Sequence, residues 1–341
     1  MTCKERFYAT IERKPVDRPA SWLGLPVKES MPGLLRYFNA DSLDALHDKL
    51  DDDIYPVDMP WRVPGNNEIF PALNFTKKGV PAERTLTAPG FFEDYEDPAG
   101  VLDFDWPDPK EYIDPNECRR AVLAADPDKA VVGILWSAHF QDACAAFGLE
   151  AAMVKMLLTP EMFRAVIDRI TEFYLSANEV FYEAAHEHLD AVLLGNDLGT
   201  QNGLLESPDL IRIYAIPGVR KLVAQAKTYG LKVIYHSCGS IYNIIPDLID
   251  AGVDVIHPIQ ALAAGMEPER LKDSFGERVS FCGGVDTQYL LPFGKPEHIR
   301  DKVMELKRLF PTGLIISPSH EAILPDVDPE NIQALFDAVK M

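Results

Sequence analysis

From about residue 130 onward the chain alternates short apolar runs with longer stretches of helical periodicity, and this alternation constrains the fold more than any other feature. The runs 131–136 (VVGILW), 191–195 (AVLLG), 232–235 (KVIY), 253–257 (VDVIH), 279–283 (VSFCG) and 314–317 (LIIS) are four to six residues long. Such runs are too short for helices and apolar enough for strands covered on both faces. The stretches between them are long enough for crossover helices, so the pattern predicts βα units and a parallel sheet. One stretch begins at Thr159–Pro160, an N-cap followed by proline in the first turn, and carries Phe163, Val166, Ile167, Ile170, Phe173, Tyr174, Ala177 and Phe181 on one stripe. Ser207–Pro208 opens another, which Pro217 is expected to break or kink and Gly230 to end. Asp328–Pro329–Glu330 opens the last.

At 341 residues the chain fits a single TIM (β/α)8 barrel with insertions. No linker divides it, so one domain over 1–341 is expected, with an irregular part over 1–130 and regular βα units over 131–341. Within the irregular part, residues 1–14 read as an amphipathic helix with Phe7 and Ile11 inward, and 20–25 and part of 51–60 as strands. The acidic, proline-rich stretch 86–117 reads as an excursion over the barrel mouth with at most a hairpin.

The formal charge of −20 speaks against a nucleic-acid partner, whose phosphates need clustered Lys and Arg. No run approaches 18 apolar residues and the start lacks a signal-peptide core, so a cytoplasmic chain without a membrane span is expected. The five cysteines, Cys3, Cys118, Cys144, Cys238 and Cys282, are odd in number and scattered, which favours free thiols or metal ligands over bridges.

Catalytic groups of such barrels come from the C-terminal ends of the strands. The positions just after each run supply Trp136 and His139, then Asn196 and Asp197, His236 and Cys238, His257, Cys282 and Asp286, and finally His320–Glu321. His236 and Cys238 are two apart in extended chain, so their side chains point the same way and suit one zinc ion. Asp197 reads as a substrate, proton-transfer or ligand-orienting group. Gln201, His257, Gln260, Asp286 and Gln288 read as pocket-lining candidates, with a turn and N-cap as the plainer role for Asp286. Trp136 and His139 divide between pocket wall and core. His47, His186, His188 and His298, on presumed helices, read as surface residues.

The segments NDLGTQNGLLESPDL, VIYHSCGSIYNIIPDLIDAGVDVIHPIQ, FCGGVDTQYLLPFGKPEHI and LIISPSHEAILPDVDPENI resemble the C-terminal half of the uroporphyrinogen decarboxylase superfamily, in the same order over about 130–341. ERFYATIERKPVDRP resembles its usual opening. The resemblance implies a barrel of that type and one of two chemistries: metal-free tetrapyrrole decarboxylation, or methyl transfer to and from cobalamin. The decarboxylases carry an Arg-rich stretch near the N-terminus that clamps substrate carboxylates, where this chain reads RPASWLGLPVKESMPG. The methyltransferases bind zinc through a His-x-Cys pair, matched by His236 and Cys238, and a later Cys, where this chain has His320. Cys282 is the fallback third ligand. The resemblance therefore implies a zinc-dependent methyltransferase exchanging a methyl group between a corrinoid on a partner protein and a small O-methyl or thiol-type compound. On that reading the catalytic residues are Asp197, His236 and His320, the substrate lies against Asn196, Gln201, His257, Gln260, Asp286, Trp136 and His139, and the chain is a monomer or homodimer. A non-catalytic binding barrel is the reading from a different class.

Overall fold

A computed structural model describes residues 1–62 and 89–341. Seven strands form one sheet in chain order, every neighbouring pair parallel: β1 Ile54–Asp58, β2 Ala130–Trp136, β3 Ala191–Gly195, β4 Lys232–His236, β5 Val255–Ile259, β6 Ser280–Val285 and β7 Leu314–Pro318. Residues 20–22 take the eighth place. Ile316 N–H donates to Ala20 O at 2.8 Å and Trp22 N–H to Ile316 O at 3.1 Å, while Asp53 N–H donates to Ser21 O at 2.9 Å on the other side. The segment thus lies between β7 and β1 and closes the ring, giving a TIM-barrel α/β fold.

Alternation along the strands separates two apolar layers. Ala130, Val132, Ile134, Leu193, Ile234, Val255, Cys282 and Ile315 fill the barrel interior, with Trp22. Their neighbours Val131, Val192, Val233, Ile256 and Phe281 face the surrounding helices. The helix Cys3–Ile11, begun by a capping box between Thr2 and Glu5, contributes Phe7 and Ile11 to the interior cluster at the N-terminal end. Among the described residues no helix is long and apolar enough to cross a membrane.

Three expectations need correction. Residues 86–88 lie outside the described part, and the rest of 86–117 holds no hairpin. It forms helical turns at Ala99–Leu102 and Pro109–Glu111 and the start of the helix Pro115–Leu123, because Asp108–Pro109 and Asp114–Pro115 are cap-and-first-turn pairs. Pro217 lies inside the continuous helix Pro208–Thr228 instead of ending it; packing of the Ile211, Tyr214, Val219 and Leu222 face outweighs the one donor lost. His47 is buried, its Nδ1 2.7 Å from Asp52 Oδ2, in a pair completed by Lys129. The long helix is Pro160–Ala185 and the last Pro329–Lys340, both opening where the sequence signals stand.

β5 runs Val255–Ile259, two residues later than the apolar pattern indicates, because Asp254 leaves the strand to accept from Val233 N–H at 2.6 Å. His257 therefore lies within the strand, in register with His236.

Asp53, fully buried below the closing segment, pairs with Arg6 at 2.5 Å and Arg18 at 2.8 Å and accepts from Ser21 N–H at 2.8 Å. Removing it leaves the buried Arg6 guanidinium short of a partner and the strand unpinned. Asp53→Ala is expected to cost roughly 3–5 kcal/mol in urea unfolding, whereas Asp301→Ala, on an exposed helix face, is expected to change stability by less than about 0.5 kcal/mol.

Candidate active site

The C-terminal end of β4 delivers His236 into a polar cluster in which both ring nitrogens are engaged. Nε2 lies 3.2 Å from Asp197 Oδ1 and 3.2 Å from Cys238 Sγ. Nδ1 lies 3.0 Å from His257 Nδ1 and 3.3 Å from Glu321 Oε2. The loop behind it is tightly specified. Gly239 has φ +79°, and a Cβ there would fall 2.6 Å from Thr200 O. Its N–H donates to Gln260 Oε1, Cys238 N–H donates to Asp197 Oδ1 at 3.0 Å, and Leu198 N–H donates to Ser237 Oγ at 3.0 Å. Asp197 is therefore both a neighbour of the imidazole and the anchor of the Cys238 backbone.

Burial and charge set opposing demands here. Burial disfavours a charged His236, yet Glu321, Asp197 and Cys238 together hold its pKa well above the ordinary value. Burial alone would raise Asp197, but its bonds from His236 and from Cys238 hold the carboxyl well below the usual range. Burial also opposes ionisation of Cys238, and the hydrogen bonds from His236 and His320 reverse it, lowering the thiol. His320 is raised: burial works against its charge, but Cys238 and Glu321 favour it. His257, buried and facing the cations His236 and His320, is held well below its ordinary value and stays neutral. One of its nitrogens faces His236 while Nε2 finds no partner among the described residues.

The cluster opens into a cavity of about 450 Å³, whose wall includes Asp58, Met59, Trp61, Trp136, Gln141, Asp142, Tyr174, Asp197, His236, His320 and Glu321. The described wall has four acids and neither Lys nor Arg. Trp136 adopts φ +56°, and its ring meets His236 edge-on at 5.1 Å. A non-glycine residue in that region is strained by on the order of 1–3 kcal/mol, and here the turn brings the indole to the cavity wall. On the same wall Tyr174 O–H donates to Asp142 Oδ2 at 2.5 Å, and burial pushes the Asp142 carboxyl up to about 8.

Of the residues read from the sequence, Asp197, His236, Cys238, His320 and Trp136 come together at the mouth. Among the described residues, Asp197, His236 and Cys238 place one ligand atom each within 4.8 Å of one another, as do His236, His257 and Glu321. His320 is outside both sets but lowers the Cys238 thiol, and its Nδ1 lies 3.0 Å from Ala322 N.

The others serve elsewhere. Asn196 does not line the cavity: its Oδ1 accepts from Phe140 N–H at 2.8 Å and Gln141 N–H at 3.3 Å, at the start of the helix His139–Phe147. His139 is fully buried, with Nε2 donating to Ala215 O at 2.9 Å and Nδ1 accepting from Asn196 Nδ2 at 3.2 Å. His257 backs His236 and does not line the cavity, because β5 extends past it. Gln260 holds Gly239. Asp286 accepts from Tyr289 N–H at 2.7 Å and Leu290 N–H at 2.8 Å, so it holds the turn that leads into the helix Leu290–Phe293. Gln201 and Gln288 are exposed. Cys282 points into the apolar interior beside Ser317, and burial raises its thiol, which removes it from the ligand atoms that converge on His236. Residues the strand-end search did not single out are Gln141, Asp142, Tyr174 and Asp58, and Glu321 came out of it only beside His320, with no role of its own. Glu321 directly follows His320, and Asp142 stands in the apolar helix HFQDACAAF, where an acid is out of place; those were the signals available.

The fold and this mouth define a barrel with a polar, imidazole-centred site at the C-terminal ends of its strands. The profile described as Uroporphyrinogen decarboxylase (URO-D) matches residues 118–341, and the chain belongs to that family. It is 30% identical over 141 residues to the uroporphyrinogen decarboxylase of Chlorobium luteolum and 29% identical over 141 residues to that of Pelodictyon phaeoclathratiforme. Each alignment covers 39% of this chain and 38% of the relative. Among solved structures, a methyltransferase from Methanosarcina mazei superposes with a TM-score of 0.70 at 17% identity, over 99% of this chain and 98% of that one. At that identity the likeness is one of fold.

Cys238 is the half-exposed thiol held toward its thiolate, while Cys118, Cys144 and Cys282 are buried and raised. Iodoacetamide is expected to alkylate Cys238 well before these three in metal-free protein, as read by peptide mass mapping.

Proposed function

We propose that the chain is a zinc-dependent methyltransferase that exchanges a methyl group between a corrinoid carried by a partner protein and a small O-methyl or thiol-type substrate. The observation that carries this reading is the convergence of Asp197 Oδ1, His236 Nε2 and Cys238 Sγ beside a cavity of small-molecule size. An imidazole nitrogen, a low-pKa thiol and a carboxylate are a donor set that zinc accepts, and His320, bonded to Cys238, is the further ligand. The opposite nitrogen of His236 faces His257 and Glu321, the kind of outer partner that fixes the orientation of a ligating imidazole. Bound zinc would supply Lewis acidity toward an ether oxygen or a thiol.

The chain's own residues do the rest. Gln141 and the Cys238 N–H hold Asp197, Trp136 packs against His236, and the cavity walls exclude water from the substrate while its reacting end faces the cluster. A corrinoid brought to the mouth by its partner protein would supply the methyl donor or acceptor, and the chain's part would be to hold the small substrate in place, since positioning can be a main source of rate.

Decarboxylation of a tetrapyrrole, the activity in the names of the sequence relatives, fits less well. A substrate bearing several carboxylates calls for cationic forks, and the described wall offers acids.

Protein purified without chelator is expected to hold about one Zn²⁺ per chain by elemental analysis. Cys238→Ala is expected to lose most of that metal and Cys118→Ala to keep it. Methyl exchange is read from the corrinoid absorption spectrum, with methylcobalamin and a thiol or cob(I)alamin and a methoxy compound. Zinc held equally by Cys238→Ala, or no exchange in either direction with zinc bound, would overturn the proposal. His320→Ala is expected to lower zinc content and exchange together, and His320→Cys to recover part of both.

A further inference from the structure

Asp142 is a carboxyl that the chemistry above leaves unused. It is 1% exposed, yet it forms part of the cavity wall. Its Oδ2 accepts the hydrogen bond that Tyr174 O–H donates at 2.5 Å. Its Oδ1 is buried and has no hydrogen-bond partner among the described residues. Among the described residues no cationic side chain pairs with it either, and an ionised carboxylate so placed would carry a large desolvation cost. The proton therefore resides on Oδ1, the atom without a partner, in agreement with the carboxyl being pushed up to about 8 by burial. Apolar Met59, Ile134 and Leu135 also line the cavity.

We infer that Asp142 and Tyr174 form a substrate-recognition pair, in which the Asp142 carboxyl donates through Oδ1 to an oxygen atom of the bound molecule. Such a donor discriminates by element. Ether, hydroxyl and carbonyl oxygens are good acceptors, whereas a thioether or thiol sulfur is a weak one. A substrate without the oxygen would leave the buried O–H unsatisfied. Taken with the methyl-transfer reading, on which this step rests, the pair selects an oxygen-bearing methyl compound over a thiol. Gln141, the residue before Asp142, bonds Asp197 Oδ2 at 3.4 Å, so one helix start serves both the His236 cluster and the recognition pair.

The test uses matched oxygen and sulfur probes with no other polar atom, methoxybenzene and (methylthio)benzene, titrated calorimetrically into the purified protein. The oxygen probe is expected to bind roughly tenfold tighter, the value of one hydrogen bond of about 1.4 kcal/mol. Asp142→Leu is expected to erase the preference and Asp142→Asn, which keeps an N–H donor, to retain it. Equal affinities in the wild type, no binding of the oxygen probe, or a preference that survives Asp142→Leu would overturn the inference. Infrared spectroscopy gives a second reading independent of any ligand. A protonated carboxyl band at neutral pH is expected in the wild type, absent in Asp142→Asn and shifted in Tyr174→Phe; its absence from the wild type would overturn the inference equally. Loss of corrinoid exchange with the oxygen preference intact counts against the methyl-transfer reading alone. Loss of the preference with exchange intact counts against this pair alone.

Discussion

Closure of the ring between β7 and β1 is the constraint on which the rest of the molecule depends. A seven-stranded parallel sheet has two open edges, and unpaired edge groups are costly when buried. Residues 20–22 satisfy both edges at once through bonds to Ile316 and Asp53. Beyond them the same segment climbs toward the mouth, where Leu25 N–H donates to Glu321 O at 2.7 Å. Gly24, at φ +92°, permits that approach: a Cβ there would lie 2.4 Å from Glu321 O. The segment that closes the barrel thus also fixes the loop bearing His320 and Glu321. Asp53, tied to Arg6, Arg18 and Ser21, anchors it from the opposite end.

The site is built around one imidazole with two different faces. Nε2 of His236 meets Asp197 and Cys238, both part-exposed; Nδ1 meets His257 and Glu321, which are buried. Two carboxylates flank the ring and sustain its charge, and that charge lowers the Cys238 thiol. His257 stays neutral because burial and two neighbouring cations disfavour its protonation. Across the cavity the balance reverses: among the described residues Asp142 has a phenol but no cation beside it, so burial wins and pushes the carboxyl up. Asp197, held low beside His236, and Asp142, pushed up beside Tyr174, thus face one small space, a separation that follows from their environments.

The family match and the cavity wall overlap but do not coincide. The profile match covers residues 118–341, which contain β2 to β7 and the His236 cluster. The wall residues Asp58 and Trp61 precede that match. Part of the wall around the cavity is therefore supplied from outside the matched region.

Much of the barrel is legible in the chain, because buried parallel strands and their crossover helices leave local signatures. Ala191–Gly195 has the limits its apolar run gives, and Thr159–Pro160 and Asp328–Pro329 open helices where they stand. The strand-end rule also finds Asp197, His236, Cys238 and His320, since a residue's position along a strand fixes which end of the barrel it reaches. What the sequence does not carry is how distant segments meet. Two residues of drift in β5 turned His257 from a wall residue into the partner behind His236. Asn196, Gln260 and Asp286 are polar residues after strands, yet they spend their bonds on backbone N–H groups of loops and helix starts. Cys282 is a thiol at a strand end whose inward direction puts it among Ile234, Val255 and Ile315. Asp142 and Tyr174, 32 residues apart on two helices, become a pair only because those helices pack against each other beside the mouth. Periodicity and capping are local and were set by the sequence; which polar groups face a shared space, and with what charge, was decided by packing.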